Sequence, residues 1–125
     1  LTLVDSRQKK VAVVQKMVDD LRLLNVRVIC GRGEILGKQA EWNHRFSVVT
    51  VRAVAPLIDL VHWTNGLRKT EAVMYILKGG EIQNELNEVS LMFSGIKVSK
   101  SLIVLKGYTK FKQNQKFIIS INYSS

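Results

Sequence analysis

The sequence predicts an α/β fold, a sheet flanked by helices with an antiparallel hairpin at one edge. Three observations carry this prediction. Apolar residues recur at helical spacing between Ser6 and Leu24. Short apolar runs at 26–30, 46–51 and 72–77 alternate with helical segments, the pattern of strand–helix–strand units. After the last such helix two β segments follow in succession, at 96–107 and 116–123, which is how a hairpin is written.

Each element has a local reason. Leu1 to Val4 reads as the tail of a strand. In the helix that follows, Val11, Val14, Met17, Val18, Leu21 and Leu24 are expected to form one apolar face, and Asn25 suits a helix exit. Gly31 to Gly37 is expected to be a loop, and a polar link with Trp42 and His44 leads to the strand Phe46–Val51. Val54 to Gly66 reads as a helix with Pro56 in its first turn, where proline is tolerated. A helix from about Glu81 to Phe93 follows the strand Ala72–Leu77. One rule is broken: Arg7, Lys9 and Lys10 crowd the start of the first helix, where the dipole favours anions, and Asp19 and Asp20 lie near its end. Such misplacements cost only about 0.3–1 kcal/mol each, yet they gather at functional sites.

With 125 residues the chain is one domain at most and long enough for a core. Its single proline and 46% hydrophobic content exclude a disordered or fibrous protein. No run of about 18 apolar residues is present to span a membrane. Leu1–Asp5 has no basic region ahead of an apolar one, unlike a signal peptide, and reads like the interior of a strand, as if the chain had been cut. The single Cys30 allows no internal disulfide and fits a reducing, cytoplasmic setting. A net charge of +9 favours polyanions, RNA or DNA before acidic lipid. Lys97, Lys100, Lys106, Lys110, Lys112 and Lys116 fall in a stretch without any carboxylate; the plainer account of them is a solvated basic edge.

Several chemistries can be weighed by spacing. Asp5 follows a strand and precedes a helix, where an acid can accept both hydroxyls of a ribose; equally, it can cap the helix with Ser6. The segment from Gly31 to Lys38 fails as a phosphate loop, having five residues between its glycines and Gln39 after the lysine. Its glycines can instead admit a flat ring beside Glu34, or simply make a turn. Cys30, His44 and His62 lack metal-ligand spacing, so no metal site is expected, and no nucleophile–base pairing is legible. Trp42, Trp63, Tyr75 and Tyr108 are expected to serve packing, and Lys78 to be a solvated strand end. Arg52 stands out, a permanent cation where an apolar strand runs into a helix.

Four stretches, LTLVDSRQKK, VRVICGRGEILG, FSVVTVRAVAPL and YILKGGEIQNEL, together resemble the bacterial small-subunit ribosomal RNA methyltransferase G family, also called glucose-inhibited division protein B. The resemblance covers about residues 1 to 90 well and the last strands only in pattern. It implies a Rossmann-like class I methyltransferase sheet, mostly parallel with an antiparallel C-terminal hairpin. It also implies an S-adenosylmethionine-dependent enzyme that methylates N7 of a guanine in small-subunit (16S) rRNA. Carried over by position, Asp5 takes the cofactor's ribose hydroxyls with Ser6 and Arg7 nearby. Gly33 and Glu34 match the Ala-Glu pair that lines the adenine, and Arg52 matches the cofactor-site arginine. No catalytic residue is assigned.

Against the family pattern, the chain starts at what corresponds to the second strand. Residues 1–125 are therefore expected to form a single partial domain lacking the first, central strand and its glycine-rich loop, and to be inactive alone. The sheet is then expected to have a gap, to close by pairing its neighbours, or to borrow a strand, and exposed edges invite self-association. The alternative reading is a non-catalytic basic RNA-binding module derived from this fold; a nicotinamide-dependent reductase using Asp5 lacks support from the Arg52 motif.

Overall fold

The computed structural model describes residues 1–52 and 55–124. Its elements are β1 (Thr2–Asp5), α1 (Gln8–Asp20), β2 (Arg27–Cys30), α2 (Gly33–Leu36), β3 (Phe46–Arg52), α3 (Leu57–Thr64), β4 (Arg68–Gly79), α4 (Gln83–Met92), β5 (Ile96–Leu102), α5 (Lys110–Gln113) and β6 (Lys116–Tyr123). The strands form two sheets, β1–β2 and β3–β4–β6–β5. β1 and β2 are parallel, as are β3 and β4, whereas β6 runs antiparallel to both β4 and β5. Within the larger sheet β6 alone is reversed, so the expected hairpin is present with β6 inserted beside β4. β1 and β3 do not pair with each other, so the expected closing of the sheet by pairing those two strands is not found.

The core lies on one face of the larger sheet. Val49 and Val51 of β3, Ala72, Met74 and Ile76 of β4, and Ile119, Ile121 and Tyr123 of β6 pack under Leu57, Leu60 and Val61 of α3 and Ile82, Leu86 and Val89 of α4. Period-two alternation sends the intervening residues to the other face. There Val48, Tyr75, Leu77 and Ile118 remain exposed. Burial raises the pKa of the Tyr123 hydroxyl, and the Arg68 guanidinium stacked 3.5 Å from its ring only partly opposes this.

Several expectations are corrected. α1 is shorter than 6–24, since Arg7 is extended at its N-cap and Arg22 turns back with φ 53. Its buried side is Val11 and Val18, with Val14 half-buried, and Met17, Leu21 and Leu24 stay exposed. The expected loop at 31–37 contains α2, and Pro56 caps α3 with ψ 146 instead of entering its first turn. β5 ends at Leu102, and a Leu105–Tyr108 bridge and α5 fill the space before β6. Trp42 is buried as expected, but Trp63, Tyr75 and Tyr108 are exposed.

Ile76 is fully buried at the centre of the core. Ile76→Ala should therefore lower stability to urea unfolding by about 2–5 kcal/mol, the cost of a buried large-to-small change. A loss under about 1 kcal/mol would mean that α3 and α4 do not close over β4.

Candidate functional site

Two backbone close approaches set the site. A Cβ on Gly37 would come within 2.9 Å of Gly66 backbone atoms, and one on Gly33 within 2.9 Å of the Trp63 carbonyl oxygen. Only glycines let α2 and the turn after it seat against α3 this closely. The seam is tied by Asn43 Nδ2 donating to the Gly37 carbonyl at 2.6 Å and by the His44 N–H donating to the Gly66 carbonyl at 2.8 Å. Trp42 stacks on Phe46 with centroids 6.2 Å apart, and Arg27 of β2 lies 4.7 Å over the same indole. In this way the β1–β2 piece is held beside β3 without pairing to it.

The space between the two pieces is an open cleft of about 780 Å³. Its walls include Asp5 and Ser6 at the carboxyl end of β1, Gly33 and Glu34 of α2, and Arg52 at the end of β3. Five of the six residues expected to bind a cofactor thus meet in one cavity. Arg7 does not form part of the wall; its Nε lies 3.5 Å from the Asp5 carboxylate. Ala53 and Val54 of the Arg52 motif lie outside the described residues.

Asp5 is not a cap of α1, whose N-cap position is Arg7. Its Oδ1 accepts the Arg7 backbone N–H at 2.8 Å, closing a local turn. That hydrogen bond, with the charges of Arg7 and Lys10, holds the carboxyl below its ordinary value against the opposing effect of desolvation. Asp5 therefore stays ionised at neutral pH. A depressed pKa contributes stability above the unfolded value, lost as pH falls through the folded one; at so exposed a group the contribution is small.

Lys78 was expected at a solvated strand end and is instead buried, with 8% of its side chain exposed. Its Nζ donates to the Ala55 carbonyl at 2.9 Å and pairs with the Glu85 carboxylate of α4. The same Glu85 oxygen accepts the Leu57 N–H at 3.0 Å, the first amide of α3. Lys78 and Glu85 thus fasten Ala55 and Leu57 to β4 and α4. Sequence reasoning missed Glu85 altogether; a lysine followed seven residues later by a glutamate, one on a strand and one on a helix, was the available signal. Among the described residues no group of three or more His, Cys, Asp or Glu side chains is placed to hold a metal ion.

With this geometry in hand, comparison with known proteins is decisive. The family model for rRNA small subunit methyltransferase G matches residues 1–117. The chain belongs to this family. It is 33% identical over 85 residues to the ribosomal RNA small subunit methyltransferase G of Thermoanaerobacter sp. (strain X514), an alignment covering 68% of this chain and 35% of that protein. The match therefore spans about a third of that relative's length. Among solved structures, an rRNA methylase from Streptococcus thermophilus superposes with a TM-score of 0.70 at 9% identity, covering 99% of this chain and 73% of that one. A plantazolicin methyltransferase in complex with a triazolic desmethylPZN analog and SAH gives 0.67 at 10% identity, covering 100% and 67%. These likenesses establish the methyltransferase fold, and the structure agrees in its mixed α/β sheet.

Because Lys78 is nearly enclosed and Glu85 keeps 30% of its side chain exposed, removing one partner should be costly. Lys78→Ala should lose about 3 kcal/mol or more by urea unfolding, while Lys78→Met with Glu85→Leu should regain most of it. Equal losses in the single and double variants would show that volume, and not charge pairing, matters there.

Proposed function

We propose that the cleft takes S-adenosylmethionine and serves the transfer of its methyl group to N7 of a guanine in small-subunit rRNA. One observation carries the reading: Asp5, Ser6, Gly33, Glu34 and Arg52, scattered over 48 residues of sequence, line one cavity at the carboxyl ends of β1 and β3. Ligands of open α/β sheets gather at such strand ends. The fit is chemical as well. The cavity is within the size range of small-molecule sites, about 300–1,000 Å³. One Asp5 oxygen is committed to the Arg7 amide, which fixes the carboxylate at the cavity wall and leaves its other oxygen to accept ribose hydroxyls.

In this reading Glu34 and the bare backbone at Gly33 face the adenine. Arg52 faces the methionyl carboxylate or an RNA phosphate, pairing a permanent cation with an anion. When bound, the cofactor supplies a methyl group activated by its positively charged sulfur. N7 of guanine already carries a free lone pair, so the residues have positioning to do more than proton transfer. The target base must leave its stack to be reached, and the lysines of β5 and β6, Lys97, Lys100 and Lys116, are suited to hold the surrounding phosphates. In this reading Asp5, Ser6, Gly33 and Glu34 serve the adenosine half of the cofactor, and Arg52 serves its methionine half or the RNA. The reading places the protein in the cytoplasm, where rRNA is made in bacteria. Among the described residues no helix is long and apolar enough to cross a membrane.

The test is calorimetric titration of S-adenosylhomocysteine into this chain and into a form extended upstream to the length of its relatives. The extended form should bind. Within it Asp5→Ala and Arg52→Ala should each raise the dissociation constant about tenfold or more, as expected for losing a charged partner. An extended form that gives no heat would leave the basic, non-catalytic RNA-binding reading in its place.

A further inference from the structure

The connection from β5 to β6 stands on the same edge of the larger sheet as the carboxyl end of β3. Register fixes this: Arg52 lies opposite Leu77, Leu77 opposite Ile118, and Ile118 opposite Ser101. Residues 103–115 therefore leave the sheet at the rim that carries Arg52 of the cleft. With strands spaced about 4.8 Å apart, the two stems of this tip lie about 10–14 Å from β3. Hydrogen bonds shape the tip. The Ile103 N–H donates to the Lys116 carbonyl at 2.8 Å, and the Tyr108 N–H to the Leu105 carbonyl at 2.9 Å. Inside this last turn Gly107 has φ 79, a left-handed position that favours glycine. The Gln113 and Asn114 N–H groups then donate to the Thr109 and Lys110 carbonyls at 3.0 and 2.9 Å.

This construction leaves Tyr108 62% exposed, with Lys106 and Lys110 exposed two residues to either side. From Ile96 to Ser125 no aspartate or glutamate is present to neutralise the lysines. Packing, the role expected for Tyr108, does not account for a ring so exposed. An open recess of about 270 Å³ lies against Gly107, Tyr108, Thr109 and Lys110. We propose that this tip grips single-stranded RNA beside the target guanine, one flanking base stacking on Tyr108 and the adjoining phosphates pairing with Lys106 and Lys110. An aromatic ring set between cations suits that ligand, because every base has a face to stack and every nucleotide a phosphate. Duplex RNA suits it less, since its bases are already stacked on one another. An acidic lipid surface would engage the lysines, yet it gives no reason for the tip to share a rim with the cleft. A strand held there runs within a few nucleotides of Arg52, where the unstacked guanine has to arrive. The proposal rests on the RNA half of the proposed function and not on its cofactor half.

Fluorescence anisotropy of a labelled single-stranded RNA oligonucleotide, titrated with this chain at several salt concentrations, tests the proposal. Tyr108→Ala should weaken binding about fivefold or more, as for the loss of one stacked base, while Tyr108→Phe keeps the ring and should bind like the parent. Lys106→Ala and Lys110→Ala should each lower the slope of log affinity against log salt by about 0.7, one single-strand phosphate apiece. Lys69→Ala, exposed at the opposite end of β4, should leave that slope as it is. All four positions are exposed, so circular dichroism should be unchanged. No binding to the oligonucleotide, or Tyr108→Ala binding as tightly as the parent, overturns the proposal. So does a Lys69→Ala slope as low as those of the tip variants, which would mean diffuse charge attraction. Binding to phosphatidylserine vesicles that depends on Tyr108, with none to the RNA, would give the tip to a lipid surface instead. No S-adenosylhomocysteine enters the experiment, so its failure is separate from failure of the cofactor reading.

Discussion

The backbone contact between Gly37 and Gly66 is the constraint on which the arrangement rests. It is the point at which the β1–β2 piece, through α2 and the following turn, is anchored to the helix that lies over β3. Ordinarily, hydrogen bonds between neighbouring strands would do this, and here β1 and β3 have none between them. A methyl group at either glycine would push the pieces apart, and with them the two walls of the cleft. Trp42, enclosed between Phe46 and the Arg27 guanidinium, reinforces the seam by dispersion and cation–π attraction where no ladder exists.

The cleft is best understood as a by-product of that construction. Asp5 and Arg52 meet at the same rim because β2, which pairs with β1, is held by Arg27 over Trp42, and Trp42 stacks on Phe46 at the start of β3. The Lys78–Glu85 pair performs a second fastening at the far side, holding Ala55 and Leu57 by their backbone groups. Backbone hydrogen bonds of Ala55 and Leu57 are thus supplied by side chains from β4 and α4.

Much of this was legible from sequence, and the reasons differ by element. β6 was expected at the bounds it occupies, 116–123, where Phe117, Ile118, Ile119, Ile121 and Tyr123 make a run rich in strand-forming residues. β3 was nearly as clear. α1 was overextended because Met17, Leu21 and Leu24 continue the apolar pattern while serving no core, and periodicity reports hydrophobicity without reporting what covers it. α2 was unreadable: four residues beginning with glycine carry no period. In the site, Asp5, Ser6, Gly33, Glu34 and Arg52 were named from a family resemblance, and the fold draws them together. Lys78 misled because a lysine beside Gly79 and Gly80 looks solvated, and its burial depends on a glutamate in another element. The split sheet could be expected only as one of three outcomes, since sequence does not say whether two edge strands will drift together.

The position of β6 has a consequence for how the protein is made. It follows β5 in sequence, yet it lies between β4 and β5, and its Ile119 and Ile121 are fully buried beneath the helices. During synthesis β4, α3 and α4 emerge well before it, with their apolar faces formed and nothing yet between β4 and β5. Until residues 116–123 clear the ribosome, the main core cannot close, and the nascent chain carries a strand-wide vacancy in its sheet. Such exposed intermediates are prone to misassociate and are the usual clients of chaperones. The order of strands in space, set against their order in time, makes the completion of this fold a late event.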